Sequence, residues 1–191
     1  MTSYSESMAT VHELRDRIGA LRKEMRAALR ATPPEPVEDY VFAGPDGPVR
    51  LSQLFGDKKD LFVIHNMGRG CVYCTMWADG FNGVYDHLSN RAAFVVSSPD
   101  APEVQREFAA SRGWRFPMVS HAGTTFAADM GFYGNGGWQP GVSAFRRTEQ
   151  GIERVSDTEL GPGDDFCSVW HFLDLLPEGA GGWTPKFRYA S

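Results

Sequence analysis

Apolar residues recur along the chain in two rhythms, and the change from one to the other predicts where helices and strands lie. From Met8 to Leu29 they fall every third or fourth position among charged residues, which is the period of a helix. The spacing is nearly heptad but too short to require a coiled coil, so this helix is expected to pack on its own domain, with a homodimer contact as the alternative. Prolines at positions 33, 34 and 36 end the helix and start a linker.

The middle of the chain alternates continuous apolar runs with helical periods. The runs "DLFVIHNM" and "RAAFVVSS" are apolar and β-branched enough to be central strands. Each precedes a helical segment, the first from Cys71 to about Leu88, and the second ending at Gly113 with Ser98 or Asp100 as its expected cap. Strand, helix, strand, helix in this order predicts a right-handed parallel βαβ unit and hence the α/β class.

Turn-rich segments flank this unit. The stretch "DYVFAGPDGPVRLSQLF" predicts a hairpin and a helical turn, and "PGVSAFRR", "EQG" and "IERVSD" predict a second antiparallel hairpin. Residues 114–139 are rich in glycine and aromatics, and we expect an irregular excursion there with one short helix at "TTFAADMGFY". A closing helix capped by Asp164 or Asp165 completes the pattern.

The composition indicates one domain with one core. The chain has 191 residues, 42% of them apolar. We expect an amphipathic helix and proline-rich linker over residues 1–36, the α/β domain over 37–180, and a tail over 181–191.

The net charge of −5 is spread along the chain, so no nucleic acid and no membrane is expected as a partner. The charged N-terminus and the lack of a long apolar run make the cytoplasm the expected compartment.

Two of the three cysteines lie close together in "HNMGRGCVYCTMWADGFNG". Cys71 falls where a predicted strand turns into a helix, and there the free N–H groups and the helix dipole stabilise a thiolate. Arg69 is expected to lower the pKa of this thiol further. Cys74 lies one turn further in, so Cys71 is the expected attacking sulfur and Cys74 the resolving one. Gly80 and Gly83 weaken the helix and indicate a kink or the close approach of another element.

Two other interpretations of the cysteine pair stay open. One is half of a zinc site, but structural zinc needs two further ligands, and neither Cys167 nor the five histidines supply a second close pair. The other is two inert buried thiols, since free cysteine is common in cores. Cys167 is itself expected to be structural, with a distant resolving thiol as the alternative. We expect no metal and no cofactor, and a thiol or disulfide on a protein or a small molecule as the substrate.

These features resemble the thioredoxin superfamily. More narrowly, the chain resembles a bacterial family known as a domain of unknown function, which has a Cys-x-x-Cys followed by "WADGFNG" and then "FVVSS", "GWRFPMVS" and "PGVSAF" in this order. The resemblance covers nearly all of residues 37–176. It implies a thioredoxin-like fold, in which helices flank a central mixed β-sheet, here with an N-terminal helix and an N-terminal β-hairpin extension. It brings no established activity.

The spacing is closer to that of peroxiredoxins than to that of thioredoxin itself. The long separation of Cys71 from Pro140 leaves room for an inserted segment, and "FPMVS" is similar to the Phe-Pro-x-x-Ser turn of peroxiredoxins. Their peroxidase motif, Pro-x-x-x-Thr-x-x-Cys, is absent, because Ile64 and Gly68 stand at its Pro and Thr positions. A thiol-disulfide oxidoreductase is therefore the leading hypothesis. A peroxiredoxin-like peroxidase and a redox-inactive scaffold are the alternatives.

Four further residues are candidates for supporting roles under this resemblance. Pro140 matches the cis-proline that docks extended substrates in thioredoxin-type sites. His65 ends the strand that leads to the pair and would tune the thiolate or shuttle a proton, although such a histidine more often only satisfies a hydrogen bond. Trp77 is expected in the core and would also wall the site. Asp79 would accept the proton of Cys74, unless it is solvated or bonded locally.

Overall fold

The structure of the protein, a computed structural model, describes residues 3–190. The chain forms two compact units, one up to Pro34 and one from Glu35 onward. The described helices are α1 Tyr4–Ala31, α2 Leu51–Leu54, α3 Val72–Arg91, α4 Pro102–Arg112, α5 Phe126–Asp129 and α6 Ser168–Leu173. The described strands are β1 Glu35–Val37, β2 Val41–Gly44, β3 Gly47–Arg50, β4 Asp60–His65, β5 Ala93–Ser98, β6 Met118–Ser120, β7 Tyr133–Gly134, β8 Gly137–Trp138, β9 Gly141–Thr148 and β10 Gly151–Glu159.

The first unit is the helix α1, as the apolar period predicts. Ser3 and Glu6 form a capping box at its start, in which each side chain accepts the backbone N–H of the other residue. No residue of α1 is buried, and its apolar positions at heptad spacing are exposed. That this apolar face binds a second copy of the chain stays a prediction. Neither α1 nor any other described helix is long and apolar enough to cross a membrane.

In the second unit, eight strands of the described chain form one mixed sheet in the order β1-β10-β9-β4-β5-β6-β2-β3. The centre of the sheet is β4, β5 and β6, which run parallel because α3 and α4 cross over between them. β9 pairs antiparallel with β4 on one side, and β2 pairs antiparallel with β6 on the other. The predicted α/β class is confirmed, with the predicted hairpin of β2 and β3 at one edge.

Two strands of three residues, β6 and β1, lie where the sequence predicts irregular chain, as do the two-residue strands β7 and β8. Met118–Ser120 pairs in parallel with β5 inside the expected excursion. Glu35–Val37 pairs with β10 within the prolines of the expected linker. Three residues are too few to show a strand period, so only their pairing partners decide these elements. Pro36 is tolerated because β1 is an edge strand, where the missing N–H faces away from the sheet.

The start of α4 also differs from prediction. Its cap residue is Ala101, which makes no side-chain hydrogen bond, and Pro102 begins the helix. A proline suits this position because its missing N–H has no helical partner there in any case. Ser98 accepts instead from Gln105 Nε2 at 2.9 Å, and Asp100 bonds to the loop that precedes α3.

The two faces of the sheet carry separate hydrophobic cores, because side chains alternate along each strand. Phe62 and Ile64 of β4 belong to the core under α3. Leu61 and Val63 belong to the opposite core, and His65 shares their face. Large buried members of the core under α3 are Ile64, Trp77, Phe81, Phe94, Val96, Phe116 and Trp170. Those of the opposite core are Phe42, Phe55, Leu61, Val63, Val95, Phe126, Phe132 and Phe145. Each such side chain stabilises the fold by about 1.5–3 kcal/mol.

A buried polar cluster interrupts the second core. The His65 ring stacks on Phe132 with centroids 4.0 Å apart, and its Nε2 hydrogen-bonds with Ser143 Oγ at 2.8 Å. His121 Nδ1 hydrogen-bonds with Ser97 Oγ at 2.9 Å. The other ring nitrogens, His65 Nδ1 and His121 Nε2, are buried without a partner in the described chain. Burial lowers the pKa of His65 to about 3 and that of His121 to about 4, so both rings are neutral near pH 7.

This cluster predicts a loss of stability on mild acidification. An unfolded histidine titrates at about 6.5, so below that pH the unfolded chain binds more protons than the folded one. The contribution of each buried histidine to the free energy of unfolding is complete above about pH 6.5. As the pH falls, this contribution declines by up to about 1.4 kcal/mol per pH unit. For His121 the decline ends near its folded pKa of about 4.

Urea unfolding between pH 7 and pH 4 measures this slope for wild type and His121→Gln. In the variant, the slope of the free energy of unfolding against pH should correspond to about one proton fewer than in wild type, because Gln cannot be protonated. His87→Gln, at an exposed position of α3, is the matched control and should keep the wild-type slope. Equal slopes for all three proteins would contradict the prediction.

Candidate active site

Cys71 lies at the junction that the sequence predicts, beyond the carboxyl end of β4 and at the start of α3. It is the N-cap residue of α3, with extended backbone angles of φ −91° and ψ 107°. Its Sγ accepts a hydrogen bond from the N–H of Cys74 at 3.0 Å. The sulfur thus takes the place of the serine or aspartate oxygen that caps other helices. A thiolate accepts more strongly than a thiol, so the cap and the helix dipole favour ionisation of Cys71.

The two thiols of the pair differ strongly in pKa. The pKa of Cys71 falls to about 7, chiefly because the Cys74 thiol donates to its sulfur; burial opposes this, and the N–H groups of Cys74 and Tyr73 add to it. The pKa of Cys74 rises far above its ordinary value, because its proton is held by Cys71 and because the side chain is buried. Near pH 7 the pair therefore combines a half-buried sulfur that is ionised in about half of the molecules with a buried sulfur that is protonated.

Two side-chain oxygens shape the loop between β4 and Cys71, one from an amide and one from a carboxylate. Asn66 Oδ1 accepts the N–H of Gly68 at 2.7 Å, and Asp100 Oδ2 accepts the N–H of Arg69 at 2.7 Å. The Gly68 carbonyl then accepts the N–H of Cys71 at 3.0 Å. Asp100 is a supporting residue that no local sequence signal identifies. It reaches the loop only because β5, which precedes it, lies beside β4.

Gly68 occupies a position that other residues fit poorly. Its φ is +97°, in the left-handed region that favours glycine. A Cβ at this position would lie 2.9 Å from Asp100 Oδ2. Gly68 stands where the peroxidase motif has its threonine, so a threonine here requires Asp100 and the turn to move.

The structure does not bring His65 to the cysteine pair. Its ring lies in the core on the face of the sheet opposite to α3, where it stacks on Phe126 and Phe132. It is also absent from the groups that shift the pKa of Cys71. The expectation that His65 tunes the thiolate is therefore wrong. Its bond to Ser143 fits the simpler interpretation of a histidine that satisfies a hydrogen bond.

Arg69 and Trp77 lie near the pair, Arg69 at the surface and Trp77 in the core, where the sequence predicts it. The Arg69 side chain is exposed, and the lowered pKa of Cys71 is caused by hydrogen bonds from Cys74 and Tyr73. Trp77 is 3% exposed and packs with Cys74 in the core under α3. It therefore supports the helix from below and does not wall an open cleft.

Asp79 and Asn82 anchor α3 to the end of α4. The Asp79 carboxylate accepts hydrogen bonds from the Arg112 guanidinium and, at 2.8 Å, from Trp114 Nε1. Asn82 Nδ2 donates to the Gly113 carbonyl at 3.1 Å. Asp79 is bonded to Arg112 and Trp114, which fits the expectation of a locally bonded aspartate and not that of a proton acceptor for Cys74. The polar residues of "WADGFNG" thus position the helix that carries the cysteines.

Pro140 lies at the end of the sheet from which the Cys71 loop leaves. It directly precedes β9, and Gly141 pairs with His65 at the end of β4. The described chain has no cis peptide bond, so the expected cis-proline is not found. The trans form is the ordinary one. In it the Pro140 carbonyl accepts the N–H of Leu160 at 2.9 Å and continues the pairing of β9 with β10.

Cys167 is a buried free thiol at the start of α6, in the same core as Cys74 and Trp170. Asp164 Oδ1 accepts its N–H at 3.0 Å, and burial raises the pKa of its thiol. This is the environment of a structural cysteine. Cys71 and Cys74 are free thiols as well. In residues 3–190 no three His, Cys, Asp or Glu side chains are grouped so that they could hold a metal ion.

The family described as "Bacterial protein of unknown function (DUF899)" matches residues 6–187. The comparison with curated proteins finds no match.

Similar solved structures are peroxiredoxins. Peroxidoxin BcpB from Mycobacterium tuberculosis has a TM-score of 0.57 at 22% identity, over 66% of this chain and 84% of that one. Peroxiredoxin Q from Xanthomonas campestris has a TM-score of 0.54 at 17% identity, over 63% of this chain and 80% of that one. A peroxiredoxin-like protein from Aquifex aeolicus has a TM-score of 0.52 at 14% identity, over 66% and 75%. At these identities the likeness shows the fold alone, and the thioredoxin-like fold implied by the sequence is confirmed.

Removal of the Cys74 thiol tests the cause of the low Cys71 pKa. Cys74→Ala should raise the pKa of Cys71 from about 7 toward the value of about 8.5 of a free cysteine, because the main hydrogen bond to the sulfur is lost. The measurement is the pH dependence of alkylation by iodoacetamide, in a Cys167→Ala background so that Cys71 is the only thiol that remains. Cys167→Ala alone is the control and should keep the low pKa. A midpoint that stays near 7 without Cys74 would contradict the assignment.

The conformation of the loop predicts a second effect. Gly68→Ala should lower the free energy of unfolding by about 1–3 kcal/mol, because it combines a left-handed φ with a close contact to Asp100. Gly70→Ala is the matched control, since its Cβ would meet nothing within 4 Å and its φ is not left-handed. Urea unfolding compares the two variants. The prediction fails if Gly68→Ala is as stable as Gly70→Ala.

Proposed function

The chain belongs to this bacterial family of unknown function (DUF899), and from the geometry of its cysteine pair we propose that it is a thiol-disulfide oxidoreductase. The observation that carries the proposal is the division of roles across one helical turn. Cys71 has a pKa of about 7 at a half-buried helix start, and the Cys74 thiol is buried and donates to it. This arrangement is the one that exchange chemistry needs, namely an ionised sulfur that attacks and a protonated one that waits.

In the first proposed step, the Cys71 thiolate attacks one sulfur of a substrate disulfide. The substrate S–S bond breaks as the bond between Cys71 Sγ and that sulfur forms. The other substrate sulfur leaves as a thiolate and takes a proton from solvent. Cys71 is then part of a neutral mixed disulfide.

The second step follows from the loss of negative charge on Cys71. The pKa of Cys74 is high chiefly because its proton is shared with the Cys71 thiolate, and this cause disappears once Cys71 is in a disulfide. Cys74 then loses its proton to solvent and attacks Cys71 Sγ. A disulfide between Cys71 and Cys74 forms, and the second substrate thiol is released. Two electrons have passed to the substrate, so a thiol reductant must return the pair to its starting state; the reverse sequence oxidises a dithiol.

The surroundings of the pair support the docking of a substrate. Pro140 is half-buried at the same end of the sheet as the Cys71 loop, and we assign it to contact with an extended thiol or disulfide substrate. Arg69 is exposed two residues before Cys71. We assign this exposed cation to contact with the substrate as well.

A peroxiredoxin-like peroxidase is the alternative that shares this fold. It also uses a low-pKa thiolate, but the peroxidase motif adds a threonine hydroxyl that helps to hold the peroxide oxygens. At this position the chain has Gly68, whose left-handed φ and contact with Asp100 disfavour a side chain. We therefore place disulfide exchange ahead of peroxide reduction.

Insulin reduction with dithiothreitol tests the proposal on wild type, Cys71→Ser and Cys74→Ser. Cys71→Ser should lower the rate by about a hundredfold or more, because the attacking thiolate is missing. Cys74→Ser should accumulate mixed disulfides on Cys71, which mass spectrometry detects, because the resolving sulfur is missing. Cys167→Ser is the control and should turn over like wild type.

Equal turnover by wild type and Cys71→Ser would contradict the proposal. Stopped-flow mixing with hydrogen peroxide distinguishes the peroxidase from the exchange enzyme. Rapid stoichiometric consumption of hydrogen peroxide by Cys71 would favour a peroxidase. Oxidation of Cys71 at the rate of free cysteine is the result expected for an exchange enzyme. An unperturbed Cys71 pKa with no turnover would indicate a redox-inactive scaffold.

A further inference from the structure

A cavity of about 640 Å³ opens between α3, the start of α6 and the C-terminal segment. Its volume falls within the range of about 300–1,000 Å³ that is typical of small-molecule sites. Neither Cys71 nor Cys74 lines it, so the proposed exchange reaction does not use it. Its apolar walls are formed by Met76, Phe81, Val84, Phe166, Val169 and Trp183.

Gly80 is part of the wall that α3 contributes. A glycine within a helix costs about 1 kcal/mol relative to alanine, so a reason for its presence is expected. The close approach of another element is not that reason, because a Cβ on Gly80 would meet nothing within 4 Å. The expectation from the sequence is wrong on this point. Gly80 adds no side chain to this wall of the cavity.

The charges at the cavity leave one cation without a partner. Asp79 is neutralised by Arg112, and Asp165 lies 3.6 Å from His171. The Lys186 side chain lines the cavity and is exposed, and it forms no ion pair within the described chain. The cavity therefore combines apolar walls with the ammonium group of Lys186, which can pair with an anion.

The backbone that carries this lysine is held in place. The N–H of Lys186 donates to the hydroxyl of Tyr189 at 3.2 Å. Tyr189 also lines the cavity, so its O–H is available as a donor to an acceptor group beside the lysine. An anion at this end of the cavity would meet both an ammonium and a hydroxyl group.

We propose that this cavity binds a small amphiphilic anion, a molecule with an aromatic or aliphatic body and one carboxylate or sulfonate group. The body packs over Gly80 against the apolar walls, and the anionic group pairs with Lys186. This site is independent of the exchange reaction proposed for the cysteine pair.

Two fluorescent probes that differ only in charge test the proposal. 8-Anilinonaphthalene-1-sulfonate has apolar rings and one sulfonate, and N-phenyl-1-naphthylamine has the same rings without the sulfonate. Titration of the full chain should show saturable binding of both probes, with the sulfonate bound about fivefold more tightly because it pairs with Lys186.

Three variants locate the binding. Gly80→Leu fills the cavity and should weaken both probes by about tenfold or more. Gly83→Leu is the matched control, since it makes the same change at an exposed glycine of α3 that does not line the cavity and has nothing within 4 Å. It should bind both probes like wild type. Lys186→Met should weaken the sulfonate probe about fivefold and leave the neutral probe within about twofold.

The absence of saturable binding to wild type would overturn the proposal, and so would equal binding by wild type and Gly80→Leu. Unchanged binding of the sulfonate probe to Lys186→Met would overturn the assignment of an anion. Thermal melts followed by circular dichroism check that Gly80→Leu is folded. If that variant does not fold, the exposed Lys186→Met decides, since unchanged binding of the sulfonate probe to it would overturn the proposal.

Discussion

The hydrogen bonding of the Cys71 sulfur at the start of α3 is the interaction on which the site depends. This single atom caps the helix by accepting the N–H of Cys74, and it also holds the proton of the Cys74 thiol. Both roles favour the ionised form of Cys71. One local geometry therefore separates the two pKa values, and the direction of attack in the proposed reaction follows from that separation.

The thioredoxin-like fold supplies this geometry from several distant parts of the chain. β4 and β5 lie side by side, which brings Asp100 to the loop before Cys71. Asp79 and Asn82 fix α3 against the end of α4. Trp77 packs beneath the pair in the core. The residues around the cysteines thus mostly position the helix start, and few of them reach the sulfur itself.

Local features of this site could be predicted from the sequence, and features that depend on tertiary packing could not. An apolar strand followed by a helical period identifies Cys71 as a helix start, because both signals lie next to it. The face of His65 was not predictable in this way, since β4 is apolar on both faces and a buried strand shows no alternation. Asp100 and the cavity beside Gly80 depend on segments far away in the sequence, so no local pattern reports them.

The most direct test of the central claim is a redox titration of the wild-type protein in glutathione buffers of varied ratio, followed by mass spectrometry of the trapped thiols. The account predicts one reversible two-electron transition, in which Cys71 and Cys74 form a disulfide with each other and Cys167 stays reduced. A protein that keeps both thiols at every ratio, or that ends with glutathione attached to Cys71, would contradict it.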